Sequence, residues 1–336
     1  MIFIFLFSFV SIFGEIVIAH KRIFFHEYPD AFNPSIIDYN DGYLLTFRYT
    51  PHQKNESISY IGICLLNDEF EPVSSPEILL TRHQNSLTQS QSEDARLFKF
   101  RDKIFVIYND NIDLNNPSIY DRRDMFIAEI FLINDRFVLS SPLKLFCQEK
   151  KSQLWEKNWV PFEWNQMLYL SYSINPHEVL YTNLINGSCY SVFNSSKFCM
   201  WNYGALRGSS AALLVDGEYL AFFHSSKVMA SKASYDHPTW HYFMGAYTFS
   251  ANPPFEMTRI SQEPIVSEGF YEPSLSWKKV VFPGGYVIQG SLIHVAYGKD
   301  DSEIWIATID KTALMESLVS NPVISHTFDL RQSSRD

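Results

Sequence analysis

The sequence predicts an all-β fold, specifically a five-bladed β-propeller with four-stranded blades around a central pocket. Three observations lead to this prediction. Aromatic residues make up 16% of the 336 residues, a composition suited to β-strands. The periodicity of long helices is almost absent. A hairpin pattern, in which a short polar pair separates two runs of aromatic and β-branched residues, occurs five times along the chain.

The clearest hairpin pattern lies between Glu93 and Asp110, where Arg101 and Asp102 form the polar pair. The other four predicted turns are Asp41-Gly42, Asn165-Gln166, Asp216-Gly217 and Gly290-Ser291. Further strand candidates follow most copies, at residues 59–66, 125–132, 242–250 and 303–309. Four strands in each of five copies indicate five propeller blades. A β-sandwich, or two β-domains with coincidental turn dipeptides, is the alternative.

The two ends of the chain differ from the repeated region. Residues 1–13 are apolar and uncharged, and they are too short to span a membrane comfortably. Val17 and Ala19 fit a cleavage site before His20, so we predict a signal peptide over residues 1–19. A buried first strand and an uncleaved anchor are the alternatives. We expect one propeller over residues 20–320, a flexible tail over 321–336, and a protein that is secreted, periplasmic or in an endomembrane lumen, without a stable membrane span.

Charge and cysteine content exclude some classes of partner and cofactor. The net charge of −10, with no basic stripe to offset it, argues against nucleic-acid binding. No two of the four cysteines form a Cys-x-x-Cys pair, and no loop has a recognisable metal-ligand spacing, so we expect no metal and no cofactor. In an oxidising compartment Cys189 and Cys199 could form a disulfide, and free buried thiols are an equal alternative.

The propeller geometry predicts where a pocket lies. Neighbouring strands run antiparallel, so the starts of first strands and the ends of second strands share one face. That face combines carboxylates, cations and aromatic rings, the mixture that sugar binding requires. The expected substrate-binding residues are Asn33, Arg48, Glu93, Arg96, Asn109, Asp110, Asn158, Trp159, Tyr172, Tyr297 and Asp300.

Several of these residues lie in motifs that resemble those of glycoside hydrolase family 130. Glu93-Asp94-Ala95-Arg96 resembles the Glu-Asp-Pro-Arg motif of that family, with alanine in place of proline. Weaker similarities cover residues 157–162 (Lys-Asn-Trp in the family), 223–225 (Tyr-His-Gly), and 271–272, 280–285 and 297–301 in the last blade. The resemblance implies a five-bladed propeller that acts on β-mannosides as an inverting phosphorylase or hydrolase, usually without a metal. It also implies a mannose-containing oligosaccharide or glycan as partner.

The resemblance assigns the role of proton donor to Asp94, with the proton passing through a sugar hydroxyl. The residues themselves agree in kind, because Glu93 and Asp110 would raise the pKa of one carboxyl while Arg96 would keep another ionised. An ion pair between Asp94 and Arg96 with a purely structural role is the alternative.

The identity of the nucleophile separates two reactions. A phosphorylase uses inorganic phosphate as co-substrate, and Lys157, Arg207 and His224 are the residues expected to hold it. A hydrolase needs a general base, for which Glu272 is the first candidate, with Glu156 and Glu163 behind it.

Three departures from the family pattern leave room for a different class of protein. Alanine occupies position 95, Phe223 replaces a tyrosine, and Ser209-Ser210-Ala211 stands where a Pro-Pro pair is expected. A propeller that binds glycans and has lost catalysis is therefore the second hypothesis.

Overall fold

The computed structural model describes residues 16–51, 58–81, 90–111, 122–150, 153–265, 270–273 and 276–320. These residues form four sheets, and the largest divides at a parallel strand pair into two antiparallel units, which gives five units around the ring. The predicted all-β, five-bladed propeller is confirmed.

The first two blades are formed by residues 32–147, and the strand that precedes them belongs to another blade. Strand β1 (Val17–Ile23) comes first in sequence but belongs to the last blade. Blade one contains β2 (Phe32–Tyr39), β3 (Gly42–Tyr49), β4 (Tyr60–Leu66) and β5 (Glu77–Ile78). Blade two contains β6 (Glu93–Phe100), β7 (Lys103–Asp110) and β8 (Asp124–Ile133), and both β9 (Arg136–Leu139) and β10 (Leu143–Cys147) pair with β8. A 3₁₀-helix follows at Gln148–Lys150.

Blades three and four carry the middle of the chain. Blade three contains β11 (Val160–Trp164), β12 (Met167–Ile174), β13 (His177–Thr182) and β14 (Ser188–Asn194). Its outer strand β14 pairs in parallel with β10, which joins the sheets of blades two and three. Blade four contains β15 (Arg207–Gly208), β16 (Leu213–Val215), β17 (Glu218–Met229), β18 (Thr239–Ser250) and β19 (Met257–Ser261). A second 3₁₀-helix lies at Lys232–Ser234, and β20 (Lys278–Lys279) pairs with β18.

The last blade contains both early and late segments of the sequence. Strands β21 (Val281–Gln289), β22 (Leu292–Lys299) and β23 (Glu303–Asp310) are completed on the outside by β1. Helix α1 (Lys311–Ser317) then leads to β24 (Leu318–Ser320), which returns to pair with β19 of blade four.

Strand β1 closes the ring of blades. It pairs with β23 from Val17 opposite Ile309 to Ile23 opposite Ile304, and both Val17 and Ile23 are buried. Residues 17–19 of the predicted leader thus lie in a strand, whereas residues 1–15 are outside the described residues, as is the predicted tail at 321–336. The signal peptide and the domain boundaries stay predictions.

The hairpin turns explain why five copies could be recognised in the sequence. Arg101 and Asp102 have φ angles of 48° and 60°, and Asn165 and Gln166 have 48° and 58°. Positive φ at both central residues defines the tight turn that matches the twist of paired strands. The first turn was placed one residue too late, because Tyr39 pairs with Gly42 and leaves residues 40–41 as the turn.

The hydrophobic core is divided into five clusters, and each cluster lies between two adjacent blades. Leu44 packs with Leu97 between blades one and two, and Ile36 packs with Val287 between blades one and five. The remaining clusters fill the spaces between blades two and three, three and four, and four and five. Apolar side chains therefore fill the space between every pair of neighbouring blades. Polar side chains can then occupy the strand ends at one end of the channel.

All four cysteines are buried free thiols, so no disulfide joins Cys189 to Cys199 in this structure. Among the described ranges, no helix has the length and apolar character needed to cross a membrane. Within the same ranges, no three His, Cys, Asp or Glu side chains form a group that could hold a metal ion.

Candidate active site

Hydrogen bonds between blades mark one end of the channel as the candidate site. Asn33 of blade one donates from Nδ2 to Asp94 Oδ1 of blade two at 2.9 Å. Lys157, just before blade three, donates from Nζ to Glu93 Oε2 at 2.8 Å. At the other end, a cavity of about 90 Å³ is lined mainly by apolar side chains, which is too small for a saccharide. The polar end is the candidate site because side chains from blade one, blade two and the approach to blade three meet there.

Arg96 lies at the centre of this site and is completely buried. Its Nη1 donates to the main-chain carbonyl of Asp94 at 2.9 Å, and its Nη2 donates to Asn158 Oδ1 at 2.9 Å and to the Gly208 carbonyl at 3.2 Å. Its Nε donates to the carbonyl of Ser209. Burial lowers the pKa of Arg96 to about 10, which still leaves the guanidinium charged at neutral pH. One side chain thus fastens the inner ends of blades two, three and four.

Asp94 is held in a left-handed backbone conformation, with φ of 53°, at a bulge between Glu93 and Arg96. Aspartate tolerates this conformation better than most residues. Its carboxylate is nearly buried and lies 3.6 Å from Arg48 Nη1. Burial alone raises the pKa of Asp94, but Arg48, Lys157 and Arg96 together bring it below its ordinary value. The free site therefore holds Asp94 ionised, and the neighbouring carboxylates that we expected to raise its pKa do not prevail over the cations.

Glu93 is surrounded by three cations. Arg48 Nη2 and Arg123 Nη2 donate to Oε1 at 2.9 and 2.7 Å, and Lys157 donates to Oε2. Sequence reasoning missed Arg123, because it lies just before β8 and outside the repeated positions. The only available signal was its place beside Arg122 at the start of a predicted strand.

Asn109 and Asp110, at the end of β7, form hydrogen bonds with residues 91–93 beside the site. Asp110 accepts hydrogen bonds from the Gln91 main-chain N–H at 3.2 Å and from Ser92 Oγ at 2.7 Å. Asn109 Nδ2 donates to the Glu93 carbonyl at 3.2 Å, and its buried Oδ1 has no hydrogen-bond partner among the described residues. These contacts fix the segment that leads into β6.

Trp159 and Tyr172 lie around Glu156. The Trp159 ring is only 1% exposed and packs in the core between blades two and three. Its Nε1 donates to Glu156 Oε2 at 3.2 Å, while the Tyr172 hydroxyl donates to Oε1 at 3.4 Å. Burial raises the pKa of Glu156 despite these two donors. The structure thus places Trp159 in the core rather than on an open face.

His224 and Arg207 pair across β15 and β17. His224 Nδ1 lies 2.6 Å from Ser209 Oγ, and Arg207 Nη2 donates to Ser226 Oγ at 3.0 Å. Burial and the charges of Arg207 and Arg96 lower the pKa of His224 to about 3. The imidazole is therefore neutral and can donate or accept a hydrogen bond without adding charge.

The fifth blade contributes Tyr297 and Asp300, and the segment between β19 and β20 contributes Glu272. Tyr297 is buried, and its hydroxyl has no hydrogen-bond partner within the described part of the chain. Asp300 accepts from the Val280 main-chain N–H at 3.0 Å, and burial raises its pKa. The Glu272 side chain is 69% exposed and forms an ion pair with buried Lys299 at 3.2 Å. The structure does not join Glu272 to the contacts around Asp94.

Fold and site together define a five-bladed propeller with a carboxylate-and-cation site at one end of its channel. The family model described as beta-1,4-mannooligosaccharide phosphorylase matches residues 11–320. The chain belongs to glycoside hydrolase family 130, whose members are phosphorylases or hydrolases of β-mannosides.

Solved structures share the fold at low sequence identity. A β-1,2-mannobiose phosphorylase from Listeria innocua, in complex with β-1,2-mannobiose, has 14% identity and a TM-score of 0.59, covering 89% of this chain and 92% of its own. A glycosyl hydrolase from Bacteroides ovatus has 15% identity and a TM-score of 0.60, covering 88% and 87%. The mannose phosphorylase MPT-4 from Leishmania mexicana, in complex with a phosphate ion, has 12% identity and a TM-score of 0.55, covering 91% and 92%. No curated protein matches the sequence.

Proposed function

We propose that this protein is an inverting phosphorylase that cleaves a β-mannoside with inorganic phosphate. The observation that carries the proposal is the excess of positive charge around Asp94. Two similar structures, a mannobiose phosphorylase with bound mannobiose and a mannose phosphorylase with bound phosphate, support the same class of reaction.

The cationic side chains that surround Glu93, Asp94 and His224 outnumber the carboxylates among them. Glu93 and Asp94 are the carboxylates in this set. The five cationic side chains are Arg48, Arg96, Arg123, Lys157 and Arg207. Even with Asp110 included, this cluster has five cationic side chains and three carboxylates, within a protein of net charge −10. Such a site suits a phosphate dianion, because arginine and lysine bind phosphate through charge-assisted hydrogen bonds.

The reaction uses this charge in two ways. A phosphate oxygen attacks the anomeric carbon from the face opposite the leaving oxygen, so the β-linkage breaks and α-mannose 1-phosphate forms. Phosphate bound to the same cations offsets their field at Asp94, and this raises the proton affinity of its carboxyl group. With phosphate bound, Asp94 takes up a proton from solvent and then gives it up to the leaving oxygen, which regenerates the carboxylate. By family resemblance, that proton passes through a sugar hydroxyl.

Two of the departures from the family pattern lie away from the site. Ala95 packs in the core between blades one and two, and Phe223 packs in the core between blades three and four. A hydroxyl on the ring of Phe223 would therefore point into that core. The third departure takes part in the site, because Ser209 contacts His224. These placements weaken the second hypothesis of a propeller that only binds glycan.

The test is a product assay on β-1,2- and β-1,4-mannooligosaccharides with and without phosphate. We expect mannose 1-phosphate only when phosphate is present. Free mannose in equal amounts under both conditions would indicate a hydrolase and would direct attention to Glu272. Saturable binding without any product would favour the glycan-binding propeller.

A further inference from the structure

We propose that Trp155 binds the apolar face of a sugar unit beyond the one whose bond is cleaved, so that longer β-mannosides bind better than disaccharides. This inference rests on the proposed function. It assigns the role of sugar platform to a residue four positions before the buried Trp159.

Trp155 has an open aromatic surface. Its side chain belongs to the exposed large hydrophobic residues, with 52% of the residue accessible, whereas Trp159 is closed within the core. An indole combines a large apolar area with little conformational freedom, which makes it a suitable platform for the C–H face of a sugar ring. The accessible area is therefore available to a ligand.

Two independent contacts tie Trp155 to the candidate active site. Lys157 Nζ lies 5.0 Å from the centre of the Trp155 ring and at the same time donates to Glu93 Oε2 at 2.8 Å. The main chain around Trp155 forms a parallel bridge with Arg123, which itself binds Glu93. In that bridge the Arg123 N–H donates to the Leu154 carbonyl, and the Glu156 N–H donates to the Arg123 carbonyl. The ring is thus held one side chain away from the carboxylates.

The direction from the carboxylates to Trp155 leads toward solvent. Side-chain exposure rises from 9% at Glu93 to 23% at Lys157, and Trp155 is more open still. Buried Arg96 closes the inner part of the site, so the sugar that reacts at Asp94 occupies the enclosed position. A ring at the outer edge can then contact only the units that extend outward. This geometry predicts a dependence on chain length.

The experiment compares three variants with the wild type: Trp155→Ala, Trp155→Phe and Leu154→Ala. For each, kcat/KM is measured with phosphate on a disaccharide and on a tetrasaccharide of the same β-linkage. We expect Trp155→Ala to lower kcat/KM for the tetrasaccharide about tenfold, mainly through KM, and to change the disaccharide value less than about twofold. Trp155→Phe should recover most of the loss. Leu154→Ala, which removes the neighbouring exposed side chain, should match the wild type.

A second readout does not depend on turnover. Titration with the tetrasaccharide should change the tryptophan fluorescence of the wild type, and Trp155→Ala should reduce that change. Equal losses for both substrates, or no loss, in a well-folded Trp155→Ala protein would overturn the inference and leave the proposed function standing. Tetrasaccharide binding without product in the wild type, weakened by Trp155→Ala, would support the inference while the phosphorylase proposal fails. A wild type that neither binds nor cleaves any mannoside would overturn both.

Discussion

At the scale of residues, the candidate site depends on backbone conformations that few side chains adopt. Asn33, Asp94 and Asn158 have φ angles of 45°, 53° and 66°, and each lies at or just before the start of an inner strand. Asparagine and aspartate are the non-glycine residues that enter this region most readily. Their side chains are then bonded to each other or to Arg96. The same residues therefore adopt the unusual backbone conformation and provide polar side chains to the candidate site.

This conformation makes Asp94→Asn a clean test of the proton donor. Asparagine tolerates the left-handed conformation, and its Oδ1 can still accept from Asn33. We expect turnover to fall about 10²- to 10⁴-fold, because a general acid is lost, while saccharide binding persists. Steady-state kinetics and calorimetric titration measure the two effects.

Asp102→Asn is the matched control for that substitution. Asp102 also has a positive φ, 60°, but it lies in the exposed turn at the far end of the same hairpin. It should leave turnover unchanged. Unaltered turnover and binding in the Asp94 variant would show that Asp94 is not the proton donor.

Single residues also show where sequence reasoning stops. Strand position was sufficient to bring Arg48, Glu93, Asp94 and Lys157 onto one face, because antiparallel neighbours place those strand ends together. It could not tell which face of a loop or strand a ring would occupy, so Trp159 was expected at the substrate and lies in the core. Arg123 reaches Glu93 from just before β8, the third strand of its blade, and no local pattern marks such a long-range contact.

At the scale of elements, the sequence predicted the strands that pair with their neighbours along the chain. The hairpins of β2–β3, β6–β7, β11–β12, β16–β17 and β21–β22 each form around a tight turn, so neighbouring residues suffice to predict them. Strands β1 and β24 pair with strands that are distant in sequence. Short strands with remote partners have no local signature: β24 was not predicted, and a strand near the start of the chain was only an alternative to the signal peptide.

Closure of the ring by β1 predicts different effects for two adjacent residues. Val17 is 3% exposed in the core of the last two blades, whereas Ile18 is 52% exposed. In the chain that retains residues 1–19, we expect Val17→Ala to lower the free energy of unfolding by about 2 kcal/mol, from lost burial and the cavity left behind. Ile18→Ala should stay within about 0.5 kcal/mol of the wild type. Urea unfolding measures both, and equal effects would contradict closure through Val17.

At the scale of the whole molecule, the sign of the charge in the candidate site is opposite to the net charge of the protein. The chain carries −10 overall, yet cations outnumber carboxylates in the cluster around Glu93 and Asp94. A positive cleft in an acidic protein concentrates small anions while the acidic surface keeps the molecule soluble. This distribution is the one that the proposed phosphate-dependent reaction requires.

The whole molecule should also respond to acid through histidines buried at the contacts between blades. His177 of blade three is 1% exposed, its Nδ1 lies 2.9 Å from the Phe255 carbonyl, and its Nε2 lies 3.0 Å from Ser171 Oγ. Burial lowers the pKa of His177 to about 4 from 6.5. The unfolded chain therefore takes up a proton below pH 6.5 that the folded protein refuses until about pH 4. Stability contributed by the neutral ring is present above pH 6.5 and is lost as the pH falls.

We expect this single group to cost the folded state roughly 2 kcal/mol at pH 5 relative to pH 7. His177→Gln has no proton to gain, so the variant should lose less stability between those two pH values, even if it is less stable at pH 7. Urea unfolding at both pH values measures the difference, and His26→Gln, which alters an exposed histidine, serves as the control. Some acid sensitivity should remain in the His177 variant, because His224 is buried in the same neutral form. A His177 variant with the full wild-type dependence on pH would show that this contact between blades three and four does not govern acid stability.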